Sequence, residues 1–184
     1  ARMRLTEFSQ AHTLDEFLQI TLAEAEDLTE SCIGFYHFLE ADQETLTLQM
    51  WSQNTLAHLC TAVGKGTHYP ISRAGVWVEC VRERRPVIHN DYASLPADRR
   101  KGLPTGHAPV IRELVVPVIR GDRIVALLGV GNKARDYDQA DVALVSELAD
   151  LAWEHVGRKR AEEALAAASA QIEFERNRLN AVME

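Results

Sequence analysis

Two stretches dense in Val, Ile and Leu, roughly 112–120 and 123–132, are joined by nothing more than Gly121-Asp122. A two-residue link of that composition makes the chain double back as a β-hairpin, whereas parallel strands need a crossover of a dozen or more residues. A second pair lies upstream. Residues 31–39 (Ser-Cys-Ile-Gly-Phe-Tyr-His-Phe-Leu) are apolar and aromatic, and the polar turn Ala41-Asp42-Gln43-Glu44 follows. Leu46, Leu48 and Met50 then alternate with Thr45, Thr47, Gln49 and Trp51 at the strand period. Hairpins in place of regular strand–helix–strand alternation predict a mostly antiparallel sheet. The fold class is therefore α+β, with the terminal helices sharing one face of the sheet.

The helices are legible from their spacing. Leu14, Phe17, Leu18, Leu22, Ala25 and Leu28 recur at three- and four-residue steps, and Thr13 before Leu14-Asp15-Glu16 reads as an N-cap with acids in the first turn. A short helix, a break near His12-Thr13 and a helix over roughly 14–30 are expected. Residues 53–70 are mixed, with Gly64 and Gly66 as breakers. Ser72 is expected to start another helix, with Val76, Trp77, Cys80 and Val81 on one face and Pro86 as its stop; Pro86–Asn90 reads as a short strand. From Asp138 to the end the pattern is helical, interrupted only by Gly157.

That last helix divides in two. Val142, Leu144, Val145, Leu148, Leu151, Ala152 and Val156 form a wide apolar face suited to a domain core. Beyond Arg158-Lys159-Arg160 the stripe narrows to Leu165, Ala168, Ile172, Glu175, Leu179 and Val182, a 3-4-3-4-3 spacing flawed only at Glu175. This is the seam of a coiled coil and predicts a homodimer; the alternative is a solvated helix held up by Ala and Glu propensity. The expected organisation is an N-terminal linker helix over 1–12, a folded domain over 13–157 and a signalling helix over 158–184. The opening Ala1-Arg2-Met3-Arg4 reads as a module cut from a longer protein.

Composition excludes several classes. The chain has 20 Lys and Arg against 27 Asp and Glu, a net charge of −7, the opposite of the basic face a nucleic-acid binder needs. Cys32, Cys60 and Cys80 are odd in number and form no C-x-x-C, so neither a disulfide framework nor a metal cage is expected, and a cytoplasmic, reducing setting fits. No apolar run approaches the roughly 20 residues that span a bilayer. G-x-S-x-G, P-loop and H-E-x-x-H patterns are absent, so no enzyme is expected.

Several segments together resemble a GAF domain, the small-molecule sensor module of bacterial signalling proteins. They run from Tyr69-Pro70-Ile71 through Ala74-Gly75-Val76-Trp77 and Pro86-Val87-Ile88-His89-Asn90-Asp91-Tyr92. Lys101-Gly102-Leu103-Pro104, Gly106-His107, Arg112, Val116-Pro117-Val118 and Gly129-Val130-Gly131-Asn132-Lys133-Ala134 continue them. The resemblance covers roughly residues 10–156 and is to the subgroup attached to histidine kinases and diguanylate cyclases. It implies a multidomain parent with a downstream output domain in the same chain. Residues 175–184 resemble the helical lead-in to a PAS domain. Asn132-Lys133, Tyr137 and Asp141 resemble a motif that braces the fold in cyclic-nucleotide-binding relatives, and a strand-ending Lys133 beside a helix-opening Asp141 suits a structural salt bridge.

In a GAF fold the stretch from His89 to Arg112 caps the open face of the sheet over a pocket. The candidate ligand-binding residues are therefore His89, Asn90, Asp91, Tyr92, Lys101, His107 and Arg112, with Trp77 as a stacking wall. Arg112, His107 and Lys101 suit an anionic group; Asp91 and Tyr92 suit a ligand's donors. The competing reading is that these residues hold the loop, Asn90 and Asp91 as turn-makers and Arg112 as a partner of Asp91. Trp51 and Trp153 are read as packing residues. The ligand is unnamed and no cofactor is required. Haem, with His89 or His107 as axial ligand, is disfavoured, and a bilin more so, since no cysteine directly precedes a histidine. Methionine sulfoxide reductases of this fold use cysteines in a region that has none here, 84–112. The readings carried forward are a ligand-binding sensor that signals through a dimeric C-terminal helix, a structural dimerisation spacer, and a haem or redox sensor.

Overall fold

In the computed structural model, which describes residues 13–59, 68–101 and 109–183, Thr13 opens the first helix, α1 (Leu14–Thr29). The Thr13 hydroxyl accepts from the Glu16 amide at 3.3 Å while the Glu16 carboxylate accepts from the Thr13 amide at 2.8 Å. This reciprocal capping box satisfies two of the helix's orphan donors. The helix closes on Glu30 in the left-handed region (φ 55°). The short helix expected before Thr13 lies outside the described residues.

The strands are β1 (Ile33–Leu39), β2 (Thr45–Trp51), β3 (His68–Pro70), β4 (Val87–His89), β5 (Glu113–Arg120) and β6 (Arg123–Gly131). They form one sheet in the order β3-β2-β1-β6-β5-β4, and every pair is antiparallel. Between β5 and β6 the chain turns at Gly121, which adopts φ +61° with open space around it. A left-handed backbone there suits a residue without Cβ. Between β1 and β2, Asp42 accepts from the amides of Glu44 and Thr45, both at 2.9 Å, and fixes the turn through its side chain.

Helix α1 and the long α3 (Gln139–Met183) lie on one face of the sheet. Phe17, Leu18 and Leu22 from α1 and Val145, Leu148 and Ala152 from α3 close over Tyr36, Phe38, Leu114, Val116 and Leu128. This is the α+β layering expected from the hairpins. Lys133, just past β6, donates from Nζ to both carboxylate oxygens of Asp141 at 2.7 Å, anchoring the start of α3 in a buried ion pair. No helix among the described residues is long and apolar enough to cross a membrane.

One element departs from expectation. The continuous helix predicted from Ser72 is two separate 3₁₀ turns, Ile71–Arg73 and Val76–Val78, followed by a short helix α2 (Glu79–Glu83). The reason is tertiary. A crossing segment passes over Gly75 so closely that a Cβ there would lie 2.3 Å from the Lys101 carbonyl oxygen and 2.7 Å from that of Arg99. The Val76 amide, which a helix would bond internally, donates instead to the Arg99 carbonyl at 3.0 Å.

Candidate functional site

The sheet face opposite α1 and α3 is covered by irregular chain and lined by rings. Strand pleating sends Phe35 and His37 of β1 to this side, where they meet Trp51 from the end of β2 and Trp77 from the second 3₁₀ turn. Ring centroids lie 5.7 Å apart for Phe35–Trp77, 5.0 Å for His37–Trp77, 5.3 Å for Phe35–His37 and 5.8 Å for Phe35–Trp51. Most are edge-on arrangements, the geometry ring quadrupoles prefer. Beneath them Gly129 is obligatory, since a Cβ there would sit 2.1 Å from the Phe35 ring. Burial pulls the His37 pKa down to about 3, so the imidazole is neutral at physiological pH.

A polar belt borders the rings. His89, at the end of β4, lies between two carboxylates: Nδ1 is 3.0 Å from Glu113 of β5 and Nε2 is 3.1 Å from Glu79 of α2. Burial alone would lower its pKa, but the carboxylates outweigh burial and the net shift is upward. Burial likewise acts to raise Glu79, and Arg99 and His89 overcome it to hold the carboxyl below its usual range. The guanidinium of Arg99 grips Glu79 through both Nε and Nη2. With the Val76–Arg99 backbone bond, this ties the crossing segment 90–101 down over the ring-lined face.

The candidate residues fall into distinct places. Trp77 is buried among the rings. The Asn90 side chain accepts from the Tyr137 amide at 2.8 Å and donates to the Tyr137 carbonyl at 3.1 Å. Asp91 accepts from the Ser94 amide at 3.1 Å as a turn-maker. Tyr92 is 5% exposed, and its hydroxyl has no hydrogen-bond partner; burial pushes its pKa up to about 12. Lys101 is exposed. Arg112 donates to the carbonyls of Lys133 at 2.6 Å and Ala134 at 3.1 Å and faces Asp136, not Asp91. His107 lies outside the described residues. The structure thus gathers Trp77, His89 and Tyr92 about the second face, turns Asn90 and Arg112 toward the segment leading into α3, and leaves Lys101 in solvent.

Phe35, His37, Trp51, Glu79, Arg99 and Glu113 belong to the same region but escape sequence reasoning. For the rings a signal existed: period-two alternation along 33–39 separates Phe35 and His37 from Tyr36 and Phe38. For the ionic belt none did, because its members come from four separate elements.

Chemically, the region brings together mutually packed rings, a neutral imidazole and a charged rim. The Cys80 thiol donates to the Trp77 carbonyl at 3.6 Å, and burial pushes its pKa up, which suppresses the reactive thiolate. Among the described residues no group of three or more His, Cys, Asp and Glu is placed to hold a metal; the two nitrogens of His89 point to different carboxylates instead of converging on one point.

A family profile described as GAF domain matches residues 11–156. The chain is 38% identical over 170 residues to the methyl sulfide methyltransferase-associated sensor of Methanosarcina acetivorans. That alignment covers 92% of this chain and 17% of the sensor, so the chain spans a small part of that relative. Among solved structures, the GAF domain of an Acinetobacter phosphoenolpyruvate-protein phosphotransferase superposes with a TM-score of 0.69 at 16% identity, over 86% of this chain and 92% of that one. The free methionine-R-sulfoxide reductase of Neisseria meningitidis, solved with its substrate, superposes with a TM-score of 0.64 at 16% identity, over 86% and 87% of the two chains.

Proposed function

From the premise that this chain belongs to the GAF domain family, we propose that it is the sensory module of a multidomain cytoplasmic signalling protein. It binds a small molecule on the ring-lined face and passes the signal through α3 to an output domain in the same chain. The observation that carries this reading is the covering segment 90–101. It is joined to the turns that carry Trp77 by the Arg99–Glu79 grip and the Val76–Arg99 bond, and Tyr92 is its only buried side chain. Apolar walls with a few polar groups at the margin are the usual make-up of a small-molecule site. The 38% identity to a protein named as a sensor supports the same reading. The ligand acts only through a difference in affinity between two arrangements of the domain. The module works as a homodimer joined by its terminal helices and performs no catalysis of its own.

Native mass spectrometry of the freshly purified protein tests the binding. A co-purifying small molecule that is lost from Trp77→Ala, with the fold kept, is the expected result. An empty protein whose melting temperature no metabolite library shifts overturns it. It would favour the second reading, a dimerisation spacer whose face is filled by its own side chains. That reading draws on the low exposure of Phe35 (8%), Trp77 (6%) and His37 (2%). The haem reading through His89 is disfavoured because both ring nitrogens already face carboxylates.

A further inference from the structure

We infer that the crossing segment 90–101 is a flap hinged at Asn90 and latched at Arg99, and that the charge state of His89 works the latch. The inference concerns the cover itself and stands apart from the sensing reading. The two ends of the segment are held by different chemistry. At the near end the Asn90 side chain brackets the Tyr137 backbone, and the Tyr92 amide donates to the Ile111 carbonyl at 3.0 Å. These amides and carbonyls do not titrate. At the far end the Arg99 guanidinium holds Glu79 Oε1, and the Arg99 carbonyl accepts from the Val76 amide at 3.0 Å. Of residues 93–98 only Leu95 is even partly buried, so burial does little to keep the segment down.

The other oxygen of the same Glu79 carboxylate lies 3.1 Å from His89 Nε2, while His89 Nδ1 lies 3.0 Å from Glu113. An imidazolium donates from both nitrogens and satisfies both carboxylates at once; a neutral imidazole carries a single N–H. Glu113 is the deeper acid, its side chain 5% exposed against 14% for Glu79, and Glu79 keeps Arg99. The remaining proton therefore stays on Nδ1, and the Nε2 lone pair is left facing the Glu79 carboxylate. Glu79 turns from it and takes its hold on Arg99 with it. Among the described residues the charged groups facing His89 are Glu79 from α2 and Glu113 from β5, with Arg99 of the segment behind Glu79. Tyr92 and Cys80 feel the Glu113 charge, but burial pushes both up and they stay neutral. Burial acts to raise Glu79, and Arg99 and His89 overcome it, so it remains a carboxylate at neutral pH. His89 is the group that changes. Burial lowers it and the two carboxylates outweigh burial. The latch is therefore whole below about pH 6.5 and is lost as pH rises through the higher folded value.

Hydrogen exchange of the 184-residue chain from about pH 5.5 to about pH 8.5, corrected for the intrinsic rate at each pH, tests this. The His89 ring resonance, followed by NMR over the same series, marks its titration. Protection over 93–101 should fall about tenfold as His89 loses its proton, the scale of one hydrogen bond to a charged group. The Tyr92 amide, α1 and β5 should hold. His89→Gln and Glu79→Gln should both abolish the pH dependence. The amide of the Glu79→Gln side chain can donate to the neutral Nε2, so this flap should stay closed at alkaline pH. A merely structural His89 would, on replacement, lower protection equally at every pH. Protection that is flat across the His89 titration overturns the inference, and so does a fall at the same pH in either variant. Should His89→Gln not fold, Glu79→Gln carries the test alone.

Discussion

The two faces of the sheet are built on opposite plans. The face under α1 and α3 is regular and mostly aliphatic, closed by helices whose apolar spacing matches their period. The other sets a cluster of rings among aliphatic side chains such as Leu46, Val115 and Leu127, and is closed by single turns and a crossing segment fixed by side-chain and backbone bonds. The first rests mainly on hydrophobic burial, which is non-directional and tolerant, with the buried Lys133–Asp141 pair anchoring the start of α3. The second has an apolar cluster of its own and adds a few specific contacts, Gly75 beneath Lys101, Arg99 on Glu79 and Gly129 beneath Phe35, each open to change at a single point. A stable layer beside an adjustable one is what a regulatory domain requires.

The contrast can be broken most forcefully at the ion pair anchoring the helical layer. Lys133→Met leaves Asp141 buried and uncompensated and should cost about 3–5 kcal/mol, read by urea denaturation. Leu128→Ala, also on the helical face and fully buried, should cost about 2–5 kcal/mol. On the ring face, Gly129→Ala collides with Phe35 and should cost about 1–3 kcal/mol. Phe35→Leu in the same chain should recover part of that loss; simple additivity of the two would show that the ring does not press on Gly129.

Acid sharpens the comparison within the ring face itself. His37 has a lowered pKa, so the unfolded chain takes up its proton first and stability falls as pH drops below about 6.5. His89 has a raised pKa; its contribution is complete below about pH 6.5 and is lost as pH rises through the higher folded value. Melting temperatures from pH 5 to 8 should therefore show His37→Phe flattening the acid side and His89→Gln flattening the neutral side. The smallest effect on stability is expected from Arg99→Ala, since that guanidinium is 44% exposed. Its signature should be faster hydrogen exchange confined to the crossing segment 90–101, with α1 and the helical core unchanged.

How much of this was legible follows the same division. The capping box at Thr13, the turn at Gly121 and the start of α3 near Asp138 are local, and their residues declare them. The helix expected from Ser72 failed because Val76 gives its amide to a carbonyl 23 positions away, and no periodicity within 71–83 reports that. The polar run 89–92 was recognisable as a cluster, but not its division of labour. Asn90 brackets Tyr137 and His89 sits between Glu79 and Glu113, because those partners meet only when β4, β5, α2 and the segment leading into α3 assemble.

Strand β1 serves both layers at once. Phe35 and His37 belong to the rings, while Tyr36 and Phe38 belong to the helical core, and the pairing with β2 shifts between Tyr36 and His37. The Arg160 guanidinium, where α3 departs from the body, rests 4.5 Å from the centre of the Phe38 ring. A disturbance arriving at His37 is therefore one peptide unit from the residue that props the departing helix. The ring face and the point where α3 departs are separated here by the thickness of a single pleat.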